Sequence, residues 1–137
     1  MPPWFERLVS DHAKLRSLAA GLAKAQPTAA RPGHEQLQDL LLFLDQHSKR
    51  EEDTLFRALA PTLPTGRGPL AVARAEHVAL DAVCDRLRLA MAVPADHSDH
   101  ALAAQTVRHD LPLLLNLLER HLAAEEKGLF PLAAHLP

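Results

Sequence analysis

Between Leu70 and Met91, side chains compatible with a core return at every third or fourth position: Leu70, Ala73, His77, Leu80, Cys84, Leu87 and Met91. That spacing keeps one face of an α-helix against a partner for about six turns and contradicts the two-residue alternation of a strand. A stripe of this length requires other stripes to cover it. Proline and glycine divide the rest of the chain into three more segments with the same period. The first runs from about Pro3 to Lys24 and stops before "QPTAARPG"; the second runs from about His34 to Ala60 and stops at "PTLPTGRGP". The Leu70 segment extends to about Ala92, before "VPADHSDH", and the last runs from about Ala101 to roughly Lys127. Pro112 lies inside that last segment and predicts either a kink or a helix that begins near Asp110.

The second segment contributes Leu37, Leu40, Leu41, Leu44 and Leu55, and the fourth contributes Leu111, Leu114, Leu115, Leu118, Leu122 and Leu129. Four helices of similar length with short links predict an all-α fold, an antiparallel up-down-up-down four-helix bundle. Composition agrees: the 137 residues are 47% hydrophobic but only 4% aromatic, with no Tyr, which disfavours a sandwich or barrel. The length suits one domain spanning residues 1–137.

The charge excludes several partners. A formal net charge of -2, with no run of Lys or Arg longer than two, provides no basic face for nucleic acid or anionic lipid. No apolar run approaches a membrane span, so no membrane partner is expected. The lone Cys84 cannot form an internal disulfide, and "MPPWFERLVSDH" lacks the layout of a signal peptide, so a reducing cytoplasmic location is expected.

The two halves of the chain resemble each other. "DHAKLRSL" (Asp11 to Leu18) aligns with "EHVALDAV" (Glu76 to Val83), each with an acid, then His, then Leu three residues on. "HSKREEDTLFRAL" (His47 to Leu59) aligns with "HLAAEEKGLFPLA" (His121 to Ala133), each with two Glu at the fourth and fifth places after the His and a Leu-Phe pair thereafter. Such a repeat would set its polar members around a pseudo-two-fold axis in the bundle.

Residues four apart share a helix face, so His47 with Glu51 and His121 with Glu125 each aim an imidazole and a carboxylate at one point. His12 and His77 occupy stripe positions on the other two helices. Six such groups left unpaired in a core would cost several kcal/mol each, against a total stability of about 5–15 kcal/mol. A cation compensates them, because it accepts imidazole nitrogens and neutralises carboxylates together. Carboxylates from opposite halves point further, to two metals about 3.5–4 Å apart. Imidazole and carboxylate without thiolate fit iron best, with Zn and Mn chemically permissible.

The neighbouring candidates are weaker. Glu52 and Glu126 are expected in solvent or behind the ligands, with Glu126 a rival to Glu125; Asp81, four after His77, is either a ligand, an outer acceptor or a solvated flank. "DHSDH" (Asp96 to His100) reads as a turn and N-cap, and His34, His109 and His135 have no partner at ligand spacing. Cys84 is expected to pack, and Leu55-Phe56 and Leu129-Phe130 to close the bundle end beyond the site.

With this ligand order the sequence resembles the hemerythrin-like, or HHE cation-binding, family: His on helix one, HxxxE on helix two, His on helix three, HxxxE or HxxxxD on helix four, often followed by Leu-Phe-Pro, here Leu129 to Pro131. A ferritin-like alternative would place Glu-x-x-His pairs and more carboxylates. The resemblance implies two Fe ions, a di-iron centre with an oxo or hydroxo bridge, one ion held by His12 and His47 and the other by His77 and His121, with Glu51 and Glu125 bridging. It also implies a small-molecule partner, dioxygen, peroxide or nitric oxide, bound by a sensor, carrier or scavenger. Oxygen-carrying members have a second histidine four residues from the first on helix three, and this chain has Ala73 before and Asp81 after His77. Open positions on both ions therefore also allow a weak peroxidase or catalase-like enzyme, or an iron-holding protein serving a partner. A metal-free structural bundle is the remaining alternative. Self-association is not legible in the sequence.

Overall fold

The computed structural model describes residues 1–25 and 30–137. Helix α1 (Phe5–Ala25) is followed by α2 (Ala30–Glu51), which passes into a π-helical turn (Glu52–Phe56) and a single α-turn, α3 (Arg57–Leu59). Then come α4 (Gly68–Met91), α5 (His100–Gly128) and the short α6 (Phe130–Ala134). The four long helices form the expected antiparallel bundle. Part of the predicted "QPTAARPG" break lies outside the described residues; α2 is already helical at Ala30, earlier than His34, with Pro32 in its first turn, where a missing amide hydrogen is tolerated.

Two expectations are corrected. The second segment is not one α-helix to Ala60, because the π-turn inserts a residue directly after Glu51. Leu55 and Phe56, at the end of that turn, are both buried. The fourth segment does not start near Asp110: α5 begins at His100 and is helical through Pro112. Pro112 and Arg108 are both exposed, so the Arg108 carbonyl that loses its amide partner can be hydrated, while Leu111 and Leu114 on the other face stay buried.

Glycine is required at two places. Gly68 starts α4 with φ of +85°, a conformation that side chains with a Cβ rarely adopt. A Cβ on Gly128 would come within 3.1 Å of Pro69 Cβ, so this glycine permits the end of α5 to approach the start of α4.

The core has two apolar parts. The larger fills the length of the bundle with residues such as Leu15, Leu40, Leu44, Leu80, Leu87, Leu114 and Leu122. The smaller closes one end with Leu8, Leu55, Phe56, Leu70, Ala73, Leu129 and Phe130, as the Leu-Phe pairs predicted. Each fully buried leucine or phenylalanine stabilises the fold by roughly 1.5–3 kcal/mol, so the leucine-rich stripes supply the main driving force. Between the two parts every long helix contributes a polar step: Leu8, His12, Leu15 on α1; Leu44, His47, Glu51 on α2; Ala73, His77, Leu80 on α4; Leu118, His121, Glu125 on α5. A buried polar layer thus crosses the whole bundle. Among the described residues no helix is long and apolar enough to cross a membrane.

Candidate metal centre

All six predicted residues meet in that layer, and none is more than 5% exposed. Their donor atoms form two groups. His12, His47, Glu51 and Glu125 bring one ligand atom each to within 4.8 Å of one another, and so do Glu51, His77, His121 and Glu125. The two carboxylates belong to both groups.

Glu51 divides its oxygens between them. Oε2 lies 3.1 Å from His47 Nε2 and 3.4 Å from His12 Nε2, whereas Oε1 lies 3.0 Å from His77 Nε2 and 3.8 Å from His121 Nε2. Glu125 Oε1 lies 3.2 Å from His12 Nε2 and 3.3 Å from His121 Nε2, with Oε2 3.8 Å from His77 Nε2. Every imidazole therefore points its Nε2 at the centre, and each glutamate spans two pairs of histidines.

The outward ring nitrogens have carboxylate partners, of which the spacing argument had placed Glu52 and Glu126 in solvent or behind the ligands and missed Asp11 and Glu76. His47 Nδ1 meets Asp11 Oδ2 at 3.0 Å, His121 Nδ1 meets Glu76 Oε1 at 2.9 Å, and His12 Nδ1 meets Glu126 Oε2 at 2.9 Å. His77 Nδ1 is held less firmly, 3.5 Å from Glu52 Oε2 and without a hydrogen bond. When Nδ1–H donates outward, Nε2 is left with its lone pair toward the centre, the tautomer a metal needs. A signal for these partners was present: Asp11 and Glu76 are the acids that precede His12 and His77 in the repeat, and Glu52 and Glu126 are the second members of the two Glu doublets. Each serves a histidine on another helix.

Of the two rivals, Glu125 faces inward, and Glu126 faces His12 from outside while accepting from both Arg16 terminal nitrogens at 2.7 and 2.8 Å. Glu52 is exposed behind His77. Asp81 is exposed and joins neither group. The "DHSDH" residues are exposed and form a turn, with the Asp99 amide donating to His97 Nδ1; Asp99 precedes α5 but, contrary to expectation, makes no side-chain capping hydrogen bond. His109 pairs with its neighbour Asp110, and His34 and His135 are exposed away from the layer. Cys84 packs among leucines, and burial pushes its thiol up to about 12, which makes it inert as a nucleophile.

The layer is electrostatically unusual without a cation. Burial works against a charge on His12, but the surrounding carboxylates of Glu125, Glu51 and Glu126 carry its pKa up to about 9; the same opposition resolves at His121 at about 10, through the carboxylates of Glu125 and Glu51. Burial likewise opposes ionisation of Glu51, yet the surrounding histidines, His12 foremost, hold its carboxyl well below the usual range. Protons thus occupy the place a metal would fill. Even so, His47 Nε2, His121 Nε2 and both Glu125 oxygens remain buried without a hydrogen-bond partner among the described residues. Four inward imidazole nitrogens and two shared carboxylates, partly unsatisfied, fit a metal cation.

Phe56 and Phe130 seal the layer from the closed end, Phe56 with its ring centroid 4.8 Å from that of His77 and Phe130 4.6 Å from His12. Together with Leu55 and Leu129 they exclude bulk water on that side.

The family model of the hemerythrin HHE cation binding domain matches residues 5–133. No curated protein and no solved structure matches the chain. Nearly the whole sequence is covered by that match, and the buried His and Glu groups lie where a cation site requires them: the chain belongs to the hemerythrin HHE cation binding domain family.

Proposed function

We propose that this chain is a non-haem di-iron protein that binds dioxygen, peroxide or nitric oxide as a sensor, carrier or scavenger. The observation that carries the reading is the division of Glu51, one oxygen toward His12 and His47 and the other toward His77 and His121. A carboxylate so placed is suited to bridge two ions, and a single ion would leave one pair of histidines without a partner.

His12 and His47 would hold one ion and His77 and His121 the other, with Glu51 and Glu125 shared. Bound iron would supply reversible binding and reduction of small diatomic or peroxidic ligands. The chain's own residues orient the imidazoles through Asp11, Glu126 and Glu76, and they keep the ligand face apolar through Phe56, Ala73 and Phe130. Ala73 is one turn before His77 on the inward face of α4, buried beside the layer. Two imidazoles and two shared carboxylates would hold each ion and would leave room in its coordination for a small ligand. The whole chain acts as one such unit.

The test is elemental analysis followed by ligand exposure. Protein made with iron available and purified without added metal should carry about two irons per chain. Anaerobic di-ferrous protein should then change its optical spectrum on addition of dioxygen, peroxide or nitric oxide. One ion per chain, or no spectral response to any of the three, would overturn the reading.

A further inference from the structure

The internal repeat is faithful at the inner groups and broken at the charges behind them. In the alignment of the two halves Arg16 stands opposite Asp81, and Arg50 stands opposite Ala124. Tertiary structure makes those departures matter. Behind His47, Asp11 is tied to Arg50 at 2.9 Å and to Arg7 at 3.2 Å; behind His12, Glu126 is tied to Arg16. Both outer carboxylates of this half are paired with guanidinium groups, Arg16 being shared between Glu126 and the exposed Glu119.

The other half has no such ties. Glu76, behind His121, and Glu52, behind His77, pair with no Lys or Arg among the described residues. Asp81 lies on the same side, near enough to His77 and Glu52 to feel their charges. Arg74, a cation of that half, sits over the Phe56 ring at 6.0 Å instead of on a carboxylate.

We infer that the two metal positions, though built from the same inner donors, differ in field, so that the position held by His77 and His121 takes the ion of higher charge. The inference rests on the two-metal reading and adds a polarity to it. With two histidines and the same two glutamates on each side, the inner donors cannot distinguish the ions. The distinction comes from the second layer, where one half is balanced by Arg7, Arg16 and Arg50 and the other keeps the negative charge of Glu52, Glu76 and Asp81. Solvent weakens but does not reverse this difference, because screening scales the interaction without changing its sign.

Two redox-inert ions of different charge test it directly. The full chain is loaded with equimolar Zn2+ and Ga3+ and crystallised, and anomalous diffraction on either side of the gallium edge identifies the element at each position. Gallium should exceed zinc at the His77/His121 position by about five-fold, the scale expected for one extra unit of charge in a near-surface field difference. In the double variant Arg16→Asp with Asp81→Arg, which exchanges the charges of the two halves, gallium should move toward His12 and His47; helical circular dichroism verifies that the variant folds. Equal distribution, gallium at His12/His47, or a preference that ignores the exchange would overturn the inference while leaving two ions in place. Binding of fewer than two ions would overturn both it and the reading beneath it.

Discussion

The Asp11 carboxylate, itself buried, accepts a hydrogen bond from His47 Nδ1 at 3.0 Å. One consequence is the orientation of the ring, because with Nδ1–H committed outward only Nε2 can face Glu51. Another is rigidity, since Asp11 is held in turn by Arg50 Nε at 2.9 Å.

Replacing Asp11 by Asn keeps the shape but weakens the acceptor and leaves Arg50 without its charge partner. Metal affinity should fall by about 10–100-fold. Competition against a chromophoric chelator with Zn2+ measures it. An affinity within two-fold of the unsubstituted protein would show that Asp11 does not position His47.

Glu51→Gln removes the negative charge that both pairs of histidines share. The expected result is loss of bound iron from about two ions per chain to fewer than one, whereas Glu52→Gln, on an exposed carboxylate 3.5 Å behind His77, should keep both. Elemental analysis of the two variants side by side decides whether the first Glu of the doublet is the ligand.

Acidity should control loading. Without metal, His12 at about 9 and His121 at about 10 are protonated at neutral pH, and a cation must displace those protons. Affinity should therefore climb with pH from 6 toward 9, with proton release detectable by calorimetry in buffers of different ionisation enthalpy. For the metal-free fold the sign is opposite: these raised pKa values give stability that is complete below about 6.5 and lost as pH rises through about 9 to 10. Metal-free protein should thus melt at a lower temperature at pH 10 than at pH 7. A melting temperature that rises over that interval would contradict the assigned hydrogen bonds.

Metal should stabilise the folded chain because the ligand atoms are assembled only there. At a free concentration about 100 times its Kd a single bound ion adds roughly 2.7 kcal/mol, on the order of 10 °C in Tm for a domain of this size. His47→Ala should abolish most of that rise while the metal-free variant still folds. An equal rise in the variant would place the metal elsewhere.

Phe56→Ala removes a ring that packs on His77 and is 2% exposed. The cost should be about 3–5 kcal/mol, as for other buried phenylalanines, and the cavity opens the His77 side of the layer to water. Urea unfolding with an unchanged slope, and faster removal of metal by a chelator, are the paired readouts.

The outer carboxylates were half legible. Asp11 and Glu76 were visible as the acids before each stripe histidine, yet adjacency in sequence suggests service to His12 and His77, and the structure assigns them to His47 and His121. Successive residues on a helix lie about 100° apart, so the acid beside a core histidine faces the neighbouring helix instead of its own ring. Which neighbour it meets depends on the order and rotation of the helices, and no single-helix period contains that.

By itself the sequence determined the four helices, their inward stripes, and the histidines and Glu51 that interrupt those stripes, because three-and-four spacing and a repeated HxxxE leave little freedom in what shares a face. Only tertiary structure decided that Glu51 would turn one oxygen to each pair, that Glu125 and not Glu126 would face inward, that a π-turn would follow Glu51, and that α5 would run through Pro112. Each of these depends on what lies across the gap between helices. Local periodicity specifies a direction from a helix axis, and packing alone supplies the partner at the other end.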